Sequence, residues 1–190
     1  MSFINDLKDL KSKNLPVSIF TEKYNEENFS CGFIADIDDD FFYLNHISPN
    51  GTEDGVIARR IEDIYRIEFE GEYEKRLEKL YSLKKQDHKK YKAINREEKT
   101  KDVLESYLEF AKNNNLIITF ASGNEENFSE FTGNIVKFEI EEIHLRQVSF
   151  YGEIMGNILF KRADIIKFDY DTLDEKDIFL LLQENSAPNL

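Results

Sequence analysis

The chain contains an internal repeat, and this repeat limits its possible folds more than any other feature. Residues 32–69 align without gaps with residues 133–170 at one constant offset. Three glycines and a serine are identical in the two copies: Gly32, Ser48, Gly51 and Gly55 match Gly133, Ser149, Gly152 and Gly156. Upstream, Glu26-Glu-Asn-Phe-Ser30 recurs as Glu125-Glu-Asn-Phe-Ser129, with a register shift that is typical of loops of different length. Such a repeat predicts two copies of one small structural unit.

Each copy has the residue pattern of short β-strands. Apolar and polar residues alternate around Ile34, Leu44, Ile57 and Ile67, which is the period of a half-buried strand. Turn-forming residues separate these runs, as in Asp39-Asp40 and Ser48-Pro49-Asn50-Gly51. The predicted strands are about Val17–Lys23, Cys31–Asp38, Phe41–Ile47, Gly55–Arg60 and Ile64–Phe69, then Leu116–Ala121, Phe131–Phe138, Glu142–Phe150, Glu153–Arg162 and Ile165–Tyr170. Five short strands per copy predict a small closed or nearly closed barrel, because closure removes unpaired edges.

Helices are predicted before and after each set of strands. Residues 1–14 and 98–114 carry apolar stripes at helical spacing. Helices from Glu72 to about Ala93 and from Thr172 to Gln183 are predicted after the strands. We therefore expect a mainly β, α+β chain of two domains, residues 1–96 and 97–190. Each domain would hold a helix, a five-stranded barrel and a closing helix.

A helix followed by a bent five-stranded barrel resembles the Sm-like (LSm, Hfq-like) and SH3-like barrel folds. The residues that carry the resemblance are Gly32, Ile34, Ile37-Asp38, Phe42 and Leu44, which are similar to the first Sm motif. Val56-Ile57-Ala-Arg-Arg60 resembles the second motif more loosely. The resemblance implies a tandem Sm-like fold and a module in which edge strands of neighbouring units can pair.

The RNA-binding residues of the family have no counterpart at the matching positions. Sm proteins that bind uridine-rich RNA have an asparagine where this chain has Phe42 and Ile143, and an arginine–glycine pair where it has Arg59-Arg60 and Phe160-Lys161. The resemblance therefore extends to the fold and leaves the RNA pocket out. Because fold alone does not imply function, the surface has to be considered separately.

The composition favours an acidic protein of a reducing compartment. The formal net charge is −13, which weakens non-specific binding of nucleic acid because phosphates are repelled. The single cysteine, Cys31, excludes a disulfide within the chain. The N-terminus has no signal-peptide pattern and no stretch is apolar enough for a membrane span. We expect a cytoplasmic protein that does not bind membranes.

A few basic residues are the candidate contacts for a partner or for nucleic acid. They are Arg59, Arg60, Lys161, Lys84, Lys85, Lys89 and Lys90. Four of them lie in the connector between the copies, the one locally basic stretch of the chain. Two interpretations stay open: a solvated helix whose lysines offset nearby glutamates, and a contact for an acidic partner or nucleic acid.

The chain lacks the sequence motifs of known catalytic, phosphate-binding and metal sites. His46, His88 and His144 have no partner at metal-ligand spacing. Asp36, Asp38, Asp39 and Asp40 form an acidic cluster without the glycine and spacing of a calcium loop, so a hairpin turn is the favoured interpretation. Cys31 has no histidine near it in sequence, although the fold can bring a base close to it. We expect no catalytic residue, metal or cofactor.

These observations favour a non-enzymatic protein-binding or assembly module whose partner is another protein or a second copy. The added helices have apolar faces to bury, so we expect them to cap free strand edges and to leave a monomer or dimer. The alternative is an RNA-binding Sm-like regulator that uses Arg59, Arg60, Lys161 and the basic connector.

Overall fold

The computed structural model describes residues 3–23, 27–86, 102–124 and 127–187. The chain divides into two compact units, Met1–Val103 and Leu104–Leu190. Within the described ranges it is mainly β, with ten antiparallel strands and four α-helices. The expected α+β class is confirmed at this level. Of the two recurring segments, Glu26, Glu125 and Glu126 fall outside the described residues.

In its described residues, the first unit has one helix before its five strands and one after them. Its elements are α1 (Ile4–Lys13), β1 (Pro16–Phe20), β2 (Ser30–Ile37), β3 (Phe41–Ile47), β4 (Glu53–Arg60), β5 (Arg66–Phe69) and α2 (Glu72–Leu83). Helix α1 ends where Asn14 takes a left-handed conformation (φ 53°), two residues before Pro16. The predicted extension of α2 toward Ala93 lies outside the described residues beyond Gln86.

The strands of the first unit follow the order β5-β1-β2-β3-β4, so β4 and β5 lie at opposite ends of this order. The ladder between β2 and β3 shifts register between Ile34 and Asp36, and such a bulge bends and twists a strand. Gly32 lies opposite His46, where an added Cβ would come within 2.1 Å of the Asn45 carbonyl oxygen. Only glycine permits this close approach of two backbones, which explains its presence in the repeat.

Side chains of alternate residues pack on opposite faces of this sheet. Leu7 and Leu10 of α1 pack with Val17, Phe42 and Leu44. On the other face, Leu77 and Tyr81 of α2 pack with Cys31, Phe33 and Ile47. The helices thus cover the faces of the sheet, and each fully buried aliphatic side chain contributes about 1.5–3 kcal/mol.

The second unit has the same order of elements. They are α3 (Val103–Asn113), β6 (Ile117–Asn124), β7 (Asn127–Phe138), β8 (Glu142–Val148), β9 (Ile154–Lys161), β10 (Ile165–Tyr170) and α4 (Leu173–Ser186). The strand order is β10-β6-β7-β8-β9. The ladder between β7 and β8 shifts register between Ile135 and Lys137, and an added Cβ on Gly133 would meet the Arg146 carbonyl oxygen at 2.0 Å. The bulge and the close approach lie where the repeat equates the two copies.

Aromatic side chains fill much of the second unit's interior. Phe120 is central, since its ring lies 5.1 Å from Phe160 and 5.2 Å from Phe168. Tyr107 of α3 lies 5.8 Å from Tyr170 of β10. The apolar stripe predicted for α3 is buried in full: Val103, Leu104, Tyr107, Leu108 and Ala111. Helix α4 packs Ile178 against Ile117 and Val148.

Candidate interaction surface

Strand β9 exposes apolar side chains along its length. Leu159 is 66% exposed, and Ile154 and Met155 are exposed to a similar degree. Among the described residues, β8 is the one strand paired with β9, so the backbone on the other side of β9 offers free N–H and C=O groups. A long apolar edge of this kind favours pairing with another chain. We call this strand with the adjoining turn residues Phe150 and Tyr151 the β9 surface.

The turn that leads into β9 presents two aromatic rings to solvent. Phe150 and Tyr151 are each 72% exposed, and their ring centroids lie 5.7 Å apart in an edge-to-face arrangement. The turn itself is held by backbone bonds from Gly152 N to Ser149 O (2.9 Å) and from Ser149 N to Glu153 O (2.8 Å). The rings are therefore not needed for the turn.

The matching turn of the first unit shows that this backbone does not require aromatic residues. Gly51 N donates to Ser48 O (2.8 Å) and Ser48 N to Thr52 O (2.9 Å), with Pro49 and Asn50 at the tip. Gly51 has a φ of 78° and Gly152 one of 74°, a left-handed conformation that favours glycine. The same turn is polar in one copy and aromatic in the other, and exposed aromatic residues often anchor protein interfaces.

Equivalent edge strands of the two units differ in exposure. Val56 and Ala58 of β4 are fully buried, whereas Asn157 and Leu159, which the repeat places at the same positions of β9, are exposed. The fifth strands differ in the opposite sense, because Phe69 of β5 is 46% exposed while its equivalent Tyr170 in β10 is fully buried. Among the described residues, β5 and β9 thus carry exposed apolar side chains at positions whose equivalents in β10 and β4 are buried.

In the described part of the chain, the helices leave the side chains of β9 exposed. Helix α4 contacts the β9 surface at the turn, where Asn185 Nδ2 donates to the carbonyl oxygens of Tyr151 (2.9 Å) and Gly152 (3.1 Å). It also packs against β6 and against Val148 at the end of β8. Among the described residues, the expectation that added helices cover the free edges is not met at β9, where Ile154, Met155 and Leu159 are exposed. Apolar helix faces bury more area against the face of a sheet than along a single strand.

The predicted basic contact residues do not form one patch in the first unit, because they lie near opposite ends of β4. Arg59 and Arg60 end β4, and Arg60 forms an ion pair with Glu62 at 3.0 Å. Lys84 donates to Thr52 Oγ1 at 3.2 Å, next to the beginning of β4. Since a strand rises about 3.3 Å per residue, most of the length of β4 separates these two sets. Lys85 follows Lys84, Lys161 ends β9, and Lys89 and Lys90 lie outside the described residues.

Each unit contains a buried glutamate that the sequence analysis missed. Glu74 accepts hydrogen bonds from Ser18 Oγ and from Gly71 N (3.1 Å). Glu175 accepts from Thr119 Oγ1 (2.7 Å) and from Thr172 N (3.0 Å). Burial raises the pKa of the Glu175 carboxyl, and the bonds from Thr172 and Thr119 lower it in part. The detectable signal is a glutamate three residues after a helix N-cap, the capping-box spacing, at the same repeat position in both copies.

The thiol of Cys31 lies beside the first of these networks and is chemically quiet. Its side chain is buried, and burial raises the pKa of the thiol to about 11, although the Ser18 side chain opposes this shift. The thiolate is the nucleophilic form of cysteine, so almost none of it is present at neutral pH. This geometry supports a structural role for Cys31.

The remaining polar candidates have local structural partners. Asp38 Oδ1 accepts from the backbone N–H groups of Asp40 (2.9 Å) and Phe41 (2.6 Å), as expected for a hairpin turn. Burial raises the pKa of the Asp38 carboxyl, and these bonds oppose the shift. His46 Nδ1 lies 3.1 Å from Asp54 Oδ2. Within the described ranges, no cluster of three or more His, Cys, Asp or Glu side chains is arranged to hold a metal ion.

A cleft of about 360 Å³ lies beside α4 in the second unit. Leu116, Ile117, Phe179 and Leu180 give it an apolar lining. Lys176 also lines it, but its Nζ lies 3.6 Å from Asp171 Oδ2, which offsets its charge. In the described part of the chain, no helix is long and apolar enough to cross a bilayer. The β9 surface is therefore the feature whose chemistry points most clearly to a partner.

No protein-family model, curated protein or solved structure matches the chain. The resemblance to Sm-like proteins therefore depends on the residue pattern and on the order of the elements.

Proposed function

We propose that this chain is a non-enzymatic, cytoplasmic tandem Sm-like protein that acts as a protein-binding or assembly module. The observation that carries the proposal is the β9 surface, an apolar strand edge with two exposed aromatic residues at its entry. Soluble monomers rarely expose contiguous apolar surface of this kind unless it binds something. Each unit, with a helix followed by five antiparallel strands and a bulge in the second, supports an Sm-like barrel.

The surface chemistry favours protein over RNA as the partner. The net charge of −13 opposes phosphate binding. Of the arginines that would contact RNA, Arg60 is engaged by Glu62 of the same chain. The apolar β9 edge offers main-chain hydrogen bonds and apolar contacts, which are the elements of strand addition by a polypeptide.

The buried thiol also argues against a cysteine enzyme. A nucleophilic cysteine needs a lowered pKa and access to substrate, whereas Cys31 is buried and its thiol pKa is raised to about 11.

The proposal is tested by site-specific cross-linking in the native cells. A photoreactive amino acid replaces Asn157 in the exposed part of β9, and a second version carries it at Lys79 of α2 as a control. We expect the Asn157 version to cross-link to a polypeptide, either a second copy or another protein, far more than the control does. If Asn157 cross-links to no polypeptide, the proposal fails.

A second measurement distinguishes RNA binding from protein binding. The protein is purified at low salt and analysed by size exclusion with light scattering and paired absorbance at 260 and 280 nm. We expect the spectrum of protein alone. Excess absorbance at 260 nm that disappears in an Arg59→Ala/Arg60→Ala variant would instead support RNA binding.

A further inference from the structure

We infer that the partner of the β9 surface is the β9 surface of a second copy, so that two chains form a symmetric dimer by antiparallel pairing of one β9 with the other. The inference rests on the proposed function and names the occupant of the same surface. Three features of this surface carry it: the apolar edge of the strand, its self-complementary sequence and the aromatic turn at its beginning.

Strand β9 has the properties of an edge that pairs with another strand. Among the described residues, β8 is its one paired strand, so the backbone donors and acceptors on its other side have no strand opposite them there. The strand contains no proline, and Lys161 is its one charged residue. Natural proteins protect free edges with prolines, charges and bulges. Here a register shift against β8 leaves Met155 without an opposite residue, and the part from Asn157 to Lys161 is regular.

The sequence of β9 is self-complementary when two copies run antiparallel. Glu153 directly precedes the strand and Lys161 ends it, and both are exposed. Antiparallel pairing places the beginning of one strand beside the end of the other, so each Glu153 lies near Lys161 of the other copy. Opposite charges at facing positions stabilise a sheet. Within the unit, Glu142 of β8 lies opposite Lys161, and the second copy adds a carboxylate on the other side.

The register that brings these charges together centres on Asn157. It places Met155 opposite Leu159, both exposed apolar side chains, and Asn157 opposite the same residue of the other copy. An asparagine amide has both donors and an acceptor, so two of them can bond to each other, which two like charges could not. The side chains of glutamate and lysine are long enough to reach diagonal neighbours, so the bulge at Met155 does not separate the charges.

The equivalent strand of the first unit lacks this pattern. The repeat places Thr52 at the position of Glu153 and Val56 at the position of Asn157, so β4 has neither that carboxylate nor the central amide. Val56 is also fully buried, whereas Asn157 is exposed. The self-complementary sequence thus occurs in the strand whose side chains are exposed, and the repeat does not impose it.

Symmetric pairing also gives the aromatic rings of the turn a surface to cover. In the same register, the turn of each copy extends past the end of β9 in the other copy and lies beside the 3₁₀ turn Arg162–Asp164. Tyr151 then lies opposite Ala163, which is exposed. A twofold interface buries the same patch on both copies and closes on itself. Assembly therefore stops at two copies.

Charge reversal tests this pairing in the purified full chain, by light scattering and sedimentation velocity over a range of concentrations. Salt of about 0.15 M screens the repulsion between two acidic chains. The wild type should reach the mass of two copies and no more. Glu153→Lys and Lys161→Glu each place like charges together at both ends of the contact, so each should weaken dimerisation at least about tenfold.

Two variants on α2 are the matched controls. Glu78→Lys and Lys79→Glu make the same changes of charge at exposed positions of that helix. Both should dimerise like the wild type. If the wild type stays monomeric or grows beyond two copies, or if the reversed variants associate like these controls, the inference fails.

Mixing the two reversed variants tests the symmetry directly. A dimer of one Glu153→Lys chain and one Lys161→Glu chain has opposite charges at both ends again, so an equimolar mixture should recover the dimer. The double variant Glu153→Lys/Lys161→Glu should recover it alone. If either the mixture or the double variant stays dissociated, β9 does not pair with itself in this register and the inference is overturned.

A covalent test does not depend on these charges. Asn157→Cys places a thiol opposite the same residue of the second copy, where facing Cβ atoms lie about 4.5–5.5 Å apart, close enough for a disulfide after a small shift. The native Cys31 is buried. Mild oxidation should link this variant into a dimer far faster than Lys79→Cys, and equal rates would contradict the pairing. Circular dichroism checks that each variant folds, and this comparison decides the question if a reversed variant unfolds.

Measurements on the purified chain and in cells separate self-pairing from the wider function. A monomeric purified chain whose position 157 still cross-links to a different protein in cells would overturn self-pairing and leave the protein-binding function standing. The absence of any cross-linked polypeptide would overturn both.

Discussion

Thr119 Oγ1 donates a 2.7 Å hydrogen bond to Glu175 Oε1, and Ser18 and Glu74, which lie on the matching strand and helix of the first unit, are bonded in the same way. In both units a hydroxyl on the first strand thus holds a glutamate in the first turn of the helix that follows the fifth strand. Burying a carboxylate without partners is costly. The hydroxyl and the helix N-cap supply those partners, and they fix where α2 and α4 begin.

Removing the hydroxyl of Ser18 should destabilise the protein. In Ser18→Ala, the buried carboxyl group of Glu74 loses one donor, which we expect to lower the free energy of unfolding by about 1–3 kcal/mol. The control is Ser12→Ala on the exposed side of α1, where we expect a change within about 0.5 kcal/mol. Urea unfolding measures both.

A double-mutant cycle identifies the bond as the cause. Since Ser18 and Glu74 are in contact, the effects of Ser18→Ala and Glu74→Gln should be non-additive. Equal losses in Ser18→Ala and Ser12→Ala, or strictly additive effects in the cycle, would contradict the assigned bond.

The carboxyl of Glu175 should make stability depend on pH. Burial raises the pKa of this group in the folded protein above the usual value of a glutamate. Between the unfolded pKa, about 4.3, and the raised folded pKa, the folded state binds more protons than the unfolded state. The group's contribution to stability therefore decreases as pH rises through that window.

Comparison with Glu175→Gln isolates the contribution of this carboxyl to stability, because the amide does not titrate. The free energy of unfolding of the wild type, relative to Glu175→Gln, should increase as pH falls from neutral toward the unfolded pKa. Glu184→Gln, at an exposed position of the same helix, is the control and should show no such trend. A pH-independent difference between the wild type and Glu175→Gln would refute the raised pKa.

Cys31 should be inert in the native protein. Its thiol is buried and its pKa is raised to about 11, so the reactive thiolate is scarce at pH 8. We expect a disulfide reagent such as dithionitrobenzoate to label the native chain at least about a hundredfold more slowly than the chain in guanidinium. Because the chain has one cysteine, the released chromophore reports this thiol alone. Labelling of the native protein at the rate of the denatured protein would contradict its burial.

The bounds of the strands follow closely from the sequence where the alternation of apolar and polar residues ends at turn-forming residues. Strands β3 and β10 have the predicted bounds, Phe41–Ile47 and Ile165–Tyr170. Other ends differ by a few residues, as for β1, which ends at Phe20 and not at Lys23. Strand ends depend on where the partner strand stops, and that information lies elsewhere in the chain.

The candidate surface was less predictable, because exposure of an apolar residue depends on what packs on it. Ala58 and Leu159 are both apolar residues in strands that the repeat equates, yet one is buried and the other exposed. Apolar character alone does not distinguish them. Glu74 and Glu175 were missed for another reason, since each is one of many glutamates and becomes distinctive only when the fold brings Ser18 or Thr119 beside it.

Gly32→Ala tests the physical reason for the repeat itself. The added Cβ would lie 2.1 Å from the Asn45 carbonyl oxygen, so β2 and β3 would have to move apart. Overpacking of this kind typically lowers the free energy of unfolding by about 1–3 kcal/mol. The clash is with a backbone atom, which can shift less than a side chain to relieve it. Gly133→Ala meets the Arg146 carbonyl oxygen at 2.0 Å and should have an effect of the same size.

The control for both glycines is Ala35→Gly, which lies in the same strand as Gly32. This substitution changes backbone entropy and adds no clash, so we expect the free energy of unfolding to fall by about 0.5–1 kcal/mol. Thermal and urea unfolding of the three variants provide the comparison. If Gly32→Ala and Gly133→Ala are no worse than this control, close backbone approach is not why both copies keep a glycine, and the repeat would need another explanation.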